Sequence, residues 1–334
     1  MRHSDESLTR SQVDGEILGQ GRFKYRAVQF WGYPSDAQYP VNDCHGIAED
    51  VEGRIVLLTN DVRNNLIAYR KDGTVTRAWE SRFPGAHGLE ITQQSGSSQY
   101  WITDHDRQVV SMCTPEGREL RCLTREDVGS ALPDGADYQP TNVSVMPEGD
   151  FFVADGYGTS LIHHFDPDWR YMDSFGGRGD EAEKFNCPHG MWTDTRSDIP
   201  QLLVCDRGHN MLKWFSTSGE LIRVVELPSL GFERIGGLMP ANVAGFQGEL
   251  ADHLAVACLS GTILILDGAD QIVSILGGPP AVYVDGRLQA IRPFNHTFSH
   301  PHDICIDGAG AVYVAQWWAS HTYPIKLEPI ESAT

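Results

Sequence analysis

Four histidines stand at matching positions of one recurring motif, and imidazole is the side chain suited both to binding a transition metal and to moving a proton near neutral pH. They are His45 in Cys44-His45-Gly46-Ile47, His87 in Ala86-His87-Gly88-Leu89, His189 in Pro188-His189-Gly190-Met191 and His302 in Pro301-His302-Asp303-Ile304. Two further copies carry asparagine at that place: Thr141-Asn142-Val143-Ser144 and Ala241-Asn242-Val243-Ala244. The six copies recur every 42 to 60 residues. One histidine alone is more often a satisfied core or surface residue, but four at the same phase of a repeat point to a shared metal ion. Zinc, iron, nickel or copper would suit such donors, and three histidines with an open position form a familiar catalytic zinc arrangement.

The candidate ligands are therefore His45, His87, His189 and His302, with His45 either a ligand or an acid/base. His300 lies two residues before His302 and shares its strand face, so it is a candidate acid/base. Asp303 offers carboxylate oxygen to a possible second, calcium-type ion. Tyr157, in Asp155-Gly156-Tyr157-Gly158, and Arg207, after Asp206, sit at turns that reach the same end of the repeat. They are candidate catalytic groups: the phenol to move a proton, the guanidinium to stabilise charge on oxygen and to lower the pKa of the phenol.

These side chains meet only if the repeats converge. After each anchor comes a second apolar run: Arg54–Asn60, Gln99–Asp104, Asp150–Asp155, Gln201–Asp206, His253–Leu259 and Ala311–Gln316. A third run follows each, and a fourth is clear after four of them, at Val75–Trp79, Arg170–Phe175, Leu221–Val225 and Gln271–Leu276. The runs are short, rich in Val, Ile, Leu and aromatics, and separated by turn residues, with no long 3.6-residue periodicity to compete. Six repeats of about four strands predict an all-β, six-bladed β-propeller whose inner strands line a central channel. The last repeat lacks a fourth strand; Tyr25–Trp31 is a spare one that would pair into it and close the ring, removing an exposed edge. Residues 1–20 read as a flexible tail and 21–334 as a single domain. Phe30-Trp31, Trp214 and Trp317-Trp318 read as packing between blades.

The formal net charge of −19 argues against nucleic acid as a partner, and a hydrophobic content of 41% against disorder. No apolar run is long enough to span a membrane, and no signal peptide is visible, so a cytoplasmic location is expected. The seven cysteines then read as free thiols, and the sequons at Asn142 and Asn295 carry no glycan. The expected partner is a small-molecule substrate.

The stretch from Gln139 to Phe215 resembles the peptidyl-α-hydroxyglycine α-amidating lyases. Gln139-Pro140-Thr141-Asn142-Val143, Val153 to Ser160, Phe185 to His189 and Val204-Cys205-Asp206-Arg207 carry the resemblance, and Ala86–Leu89 and Pro301–Ile304 extend it. The repeat itself is similar to that of the broader NHL-repeat propellers. The resemblance implies zinc on His87, His189 and His302, a catalytic tyrosine at Tyr157, an active-site arginine at Arg207 and a structural calcium aspartate at Asp303. It also implies cleavage of a carbinolamide, a hydroxylated C-terminal glycine, to an amide and glyoxylate. The family's second active-site arginine, which helps hold the substrate's carboxylate, falls in blade one. There this chain reads Leu58-Thr59-Asn60-Asp61, with Arg63 two residues on. His300 replaces a methionine of the family, and His45 is additional. The reading is a metal-dependent lyase with a changed substrate. The alternatives are a calcium-type lactonase or hydrolase on the same scaffold, and a non-catalytic binding propeller.

Overall fold

The computed structural model describes residues 13–33, 38–80, 82–94, 96–230, 237–294 and 296–330. Alternating apolar runs and glycine turns fold into six antiparallel sheets arranged around an axis. The inner strands are Cys44–Glu49, Ala86–Gln94, Asn142–Val145, Pro188–Asp194, Pro240–Gly245 and Pro301–Ile306, for blades 1 to 6. Each inner strand packs against the next, and the sixth packs back on the first, so the ring is closed. The six-bladed propeller expected from the repeats is the fold.

The core lies between blades rather than within them. Six buried apolar clusters each draw on two neighbouring blades, as where Leu203, Cys205 and Trp214 of blade 4 meet Val243, Val256 and Leu264 of blade 5. This is why the middle strands, such as Ile55–Thr59 and Leu254–Cys258, are apolar on both faces. Trp31 and Trp214 are buried in these interfaces, as expected.

Closure uses both ends of the chain. Phe23–Val28 pairs antiparallel with Ile325–Pro329 of blade 6. Ile17–Gln20 then pairs with Phe23–Val28, so the ring begins inside the segment assigned to a tail. Gln20 ties this strand to blade 5, its backbone N–H donating to Ser274 Oγ at 2.9 Å and its side chain exchanging bonds with the Ile275 backbone. Residues 1–12 and Asn295 lie outside the described residues. Blade 2 also has a fourth strand, Glu119–Leu123, which its charged sequence hid. Among the described residues no helix is long and apolar enough to cross a membrane.

The anchor motifs share a local irregularity. In blades 1, 2, 4, 5 and 6 the register slips by one residue at the anchor, for example between Ala86 and Leu89 and between Pro188 and Met191. Such a bulge re-aims a side chain out of the regular alternation. The glycine after the histidine is required by what it faces. A Cβ on Gly88 would stand 2.7 Å from Thr141 O, and one on Gly190 2.4 Å from Ala241 O. Gly190→Ala is therefore expected to destabilise the fold by about 1–3 kcal/mol through overpacking. Gly308→Ala, whose Cβ would meet nothing closer than Gln247 Oε1 at 3.8 Å, should stay within about 0.5 kcal/mol of the parent; urea unfolding of both variants checks the contrast.

Candidate metal centre and channel mouth

The bulged anchors direct their imidazoles to one point. The ring centroids of His87, His189 and His302 lie 4.7 Å from one another in all three pairs. These residues come from blades 2, 4 and 6. Each is bound by a carbonyl of the following blade: His87 Nδ1 to Thr141 O at 2.7 Å, His189 Nδ1 to Ala241 O at 2.7 Å, and His302 Nδ1 to His45 O at 2.8 Å. A carbonyl only accepts, so each Nδ1 carries the proton and each Nε2 keeps its lone pair. The carbonyls that bind His87 and His189 are the ones that Gly88 and Gly190 allow to approach.

His45 completes the group. Its ring lies 4.7 Å from that of His302 and 5.1 Å from that of His87. Its Nδ1 is 3.4 Å from His302 Nε2, close to the roughly 3.4 Å edge of a tetrahedron with zinc–nitrogen bonds of about 2.1 Å. Ligand atoms of His45, His87 and His302 all fall within 4.8 Å of one another. His189 is not in that tightest set, yet its Nδ1 is tied down like those of His87 and His302, whereas no such tether holds His45 among the described residues. The tautomer argument therefore favours His87, His189 and His302 as the preorganised trio, with His45 as the fourth imidazole. Burial first, and then neighbouring positive groups, holds all four well below the usual histidine range, so they are neutral donors at pH 7. This buried set could hold a divalent metal, and its donors fit one.

A carboxylate lies just beyond the histidines. Asp303 Oδ2 accepts from Ile47 N–H at 2.8 Å, and Oδ1 accepts from Asn242 Nδ2 at 2.7 Å and from Ile304 N–H at 2.8 Å. It thus ties together blades 6, 1 and 5. Burial pushes its carboxyl up to about 7, and that of Glu90 nearby up to about 8. Both line a cavity of about 430 Å³ with Asn142, Trp192 and Asn242. A calcium ion takes six to eight oxygen ligands. Here three N–H donors already crowd the Asp303 carboxylate, so its surroundings fit a hydrogen-bonded hub better than a calcium cage.

The opposite end of the channel is a mouth built by repetition. The residue just past each second strand donates its N–H to the residue just before the inner strand. These pairs are Asn60 to Asp43, His105 to Gly85, Arg207 to Cys187, Leu259 to Met239 and Trp317 to His300, at 3.0–3.2 Å. In blade 3 the bond lies two residues further from both strand ends, from Tyr157 to Gln139 at 3.4 Å. The turns are pinned by the aspartates that end the second strands. Asp155 accepts from Gln139 N–H at 2.6 Å and Thr159 N–H at 2.9 Å. Asp206 accepts from Asn186 N–H at 2.9 Å and pairs with buried Lys213 at 2.8 Å.

Tyr157 hangs from this mouth onto the histidines. Its Oη is 2.9 Å from His87 Nε2 and 3.1 Å from His189 Nε2. Arg207 donates to that oxygen at 3.2 Å and to Cys187 Sγ at 3.2 Å. The expectation that Arg207 lowers the phenol needs correction: Arg207 pulls it down, but burial outweighs that pull and Tyr157 lies above its ordinary value. His105 was missed in the sequence. Its ring lies 5.8 Å from His87 and 5.6 Å from Tyr157. It sits at the same turn position as Arg207, which a comparison of the turns would have flagged.

Arg63 lies elsewhere, and His300 stands at the mouth rather than in the histidine cluster. Arg63 is bonded to Asp61 through Nε at 2.9 Å, and its side chain is 69% exposed, away from the buried histidines. His300 packs beside Trp317 and Trp318, at ring distances of 5.9 and 5.7 Å. Trp318 is not packing between blades: it is 71% exposed.

Together these features define a closed propeller with a buried polyhistidine centre on its axis and a tyrosine–arginine pair above it. No family model matches the chain. It is similar to peptidyl-glycine alpha-amidating monooxygenase B of Xenopus laevis, 28% identical over 72% of this chain and 26% of that protein. It is also similar to peptidyl-alpha-hydroxyglycine alpha-amidating lyases 2 and 1 of Drosophila melanogaster, at 24% and 26% identity over 75% and 73% of this chain and 57% and 45% of theirs. The resemblance read from the motifs is borne out, as that of a divergent relative. The chain spans about a quarter to a little over half the length of these relatives. Solved structures of similar fold include a streptogramin B lyase, with a TM-score of 0.57 at 11% identity over 95% of this chain and 99% of that one. Virginiamycin B lyase from Staphylococcus aureus also scores 0.57, at 14% identity over 94% and 100% of the two chains.

Zinc-loaded protein is expected to hold about one ion per chain at the histidines. His87→Ala, His189→Ala and His302→Ala should each weaken retention at least tenfold, as elemental analysis after dialysis would show. Asp303→Asn places an NH₂ against donors that need an acceptor, and should cost about 1–3 kcal/mol in urea unfolding.

Proposed function

We propose that the chain is a metal-dependent lyase that breaks a C–N or C–O bond at a carbon bearing a hydroxyl group. The observation that carries this reading is the single oxygen, Tyr157 Oη, shared by two histidine Nε2 atoms and the Arg207 guanidinium. A divalent ion on these histidines supplies Lewis acidity toward a substrate hydroxyl and positive charge beside the phenol. Zinc suits the donor set, and iron or another divalent transition metal shares it.

For a carbinolamide, the residues divide the work as follows. Tyr157, as phenolate, takes the hydroxyl proton. The O–H electron pair becomes the new C=O bond, the C–N bond breaks, and its pair goes to nitrogen. Nitrogen regains a proton from the Tyr157 phenol, leaving an amide and an aldehyde. Burial alone favours the neutral phenol, so the positive charge of Arg207 matters for reaching the phenolate. The same guanidinium stabilises charge that develops on substrate oxygen.

At the blade 1 position of the family's carboxylate-holding arginine, the nearest arginine, Arg63, is turned outward onto Asp61. This supports a substrate other than a plain peptidyl-α-hydroxyglycine, or one held differently. A second reading, a hydrolase using a hard cation, draws on the Glu90, Asn142, Asn242 and Asp303 lining of the lower cavity. The three N–H donors on Asp303 weigh against it.

Tyr157→Phe keeps the ring and removes the oxygen. It is expected to lower kcat on a carbinolamide such as N-benzoyl-α-hydroxyglycine about 10²–10⁴-fold with metal content unchanged. Aldehyde release and elemental analysis measure the two effects; turnover near that of the parent would remove Tyr157 from the mechanism.

A further inference from the structure

The mouth has two unlike arcs. Blades 2 to 4 present His105, Tyr157 and Arg207. Blades 5 and 6 present, at the equivalent turns, Leu259 with Met239 and Trp317 with His300. Trp317 occupies the place that Arg207 holds in blade 4, and His300 the place of Cys187. In a ring of six, blade 6 lies across the channel from blade 3, so this aromatic group faces Tyr157 over the histidines.

The aromatic arc is exposed and held in an unusual way. Trp318 is 71% exposed and Met239 39% exposed, whereas Trp31, Trp79, Trp101 and Trp214 are buried and Trp169, Trp192 and Trp317 partly so. Trp317 and Trp318 lie 6.0 Å apart at 34°, and both rings flank His300. Trp318, Ser320 and His321 all have positive φ, at 47°, 54° and 60°. Three non-glycine residues in this region within four positions are costly, and such conformations persist where surrounding bonds enforce them. Here the Trp318 N–H donates to Asp43 Oδ1 at 2.9 Å, beside the blade 1 turn at Asn60. His300 Nδ1 is buried and has no hydrogen-bond partner among the described residues.

Resting on the lyase reading for the reactive centre, we propose that Trp317 and Trp318, with His300 beside them and Met239 on the neighbouring blade, form a substrate subsite for an aromatic or large apolar group. The substrate is then amphipathic. Its hydroxyl-bearing carbon lies over the histidines, its polar end faces Tyr157 and Arg207, and an apolar side group covers the exposed Trp318 and the half-buried Trp317. Burying such a group against two indoles supplies binding that a small acyl chain does not. The subsite also accounts for how a substrate is oriented without the family's blade 1 arginine: apolar contact on the opposite arc does the positioning.

The test compares N-acetylphenylalanyl-α-hydroxyglycine with N-acetylglycyl-α-hydroxyglycine on the zinc-loaded full chain, and their amide products, N-acetylphenylalaninamide and N-acetylglycinamide, by calorimetric titration. The parent should favour the aromatic substrate about tenfold or more in kcat/KM and bind the aromatic amide more tightly. Trp317→Ala and Trp318→Ala should each shrink both preferences several-fold, and Trp318→Phe should restore most of them. Turnover of both substrates with no aromatic preference, or with a preference that survives both alanine variants, overturns the subsite and leaves the lyase reading standing. If neither substrate is turned over, the lyase reading fails for this chemistry and the titration alone decides. Tighter binding of the aromatic amide that is lost in the alanine variants then supports the subsite, and equal binding of the two amides overturns it.

Discussion

The structure turns on one hydrogen bond made three times. His87, His189 and His302 each give Nδ1–H to a backbone carbonyl of the next blade. The bond does two things at once. It fixes the tautomer, so that three Nε2 lone pairs face the axis, and it staples neighbouring blades at the narrowest part of the ring. Because the bonds run from blades 2, 4 and 6 to blades 3, 5 and 1, the six-fold scaffold acquires a three-fold centre. Zinc sites take three or four protein donors rather than six, and this alternation presents a set of that size.

Two smaller constraints follow from it. The neighbouring carbonyl must come close, so glycine follows the histidine in blades 2 and 4. In blade 6 that place holds Asp303, whose carboxylate instead binds N–H groups of blades 1 and 5. The sixth blade thus closes the ring twice: at the rim through the pairing of Phe23–Val28 with Ile325–Pro329, and at the axis through Asp303. The acidic ends of the second strands serve the other face. Asp155 and Asp206 spend their oxygens on the turns that carry Tyr157 and Arg207, so the pair above the histidines is held by bonds rather than left on free loops.

The two arcs of the mouth differ in character. On one arc a phenol, a guanidinium and an imidazole gather over the buried histidines; on the other, the exposed Trp318 indole and Met239 thioether stand beside half-buried Trp317. The motif resemblance singled out Tyr157 and Arg207, and the structure brings the two together on the first arc. The outward turn of Arg63 and the indoles at Trp317 and Trp318 mark where this chain has its own surface. Substrate choice in such a scaffold is decided by turn residues, because the blades beneath are committed to packing.

What the sequence determined by itself was whatever repeats. Six anchors at a common phase announced the blades, and equivalence by repeat put His45, His87, His189 and His302 on one ring without any knowledge of distance. The spare strand near residue 25 was legible because blade 6 was one strand short. Tertiary structure alone decided the rest. Which imidazoles share a tautomer depends on carbonyls more than fifty residues away, and a carbonyl has no sequence signature. His105 and the indoles lay outside the anchor motif, and an aromatic pair reads the same in sequence whether it packs between blades or stands at the mouth. The pull of Arg207 on Tyr157 was visible from type and position, but its defeat by burial was not. Desolvation depends on everything that surrounds a group at once, and only the folded ring assembles those surroundings.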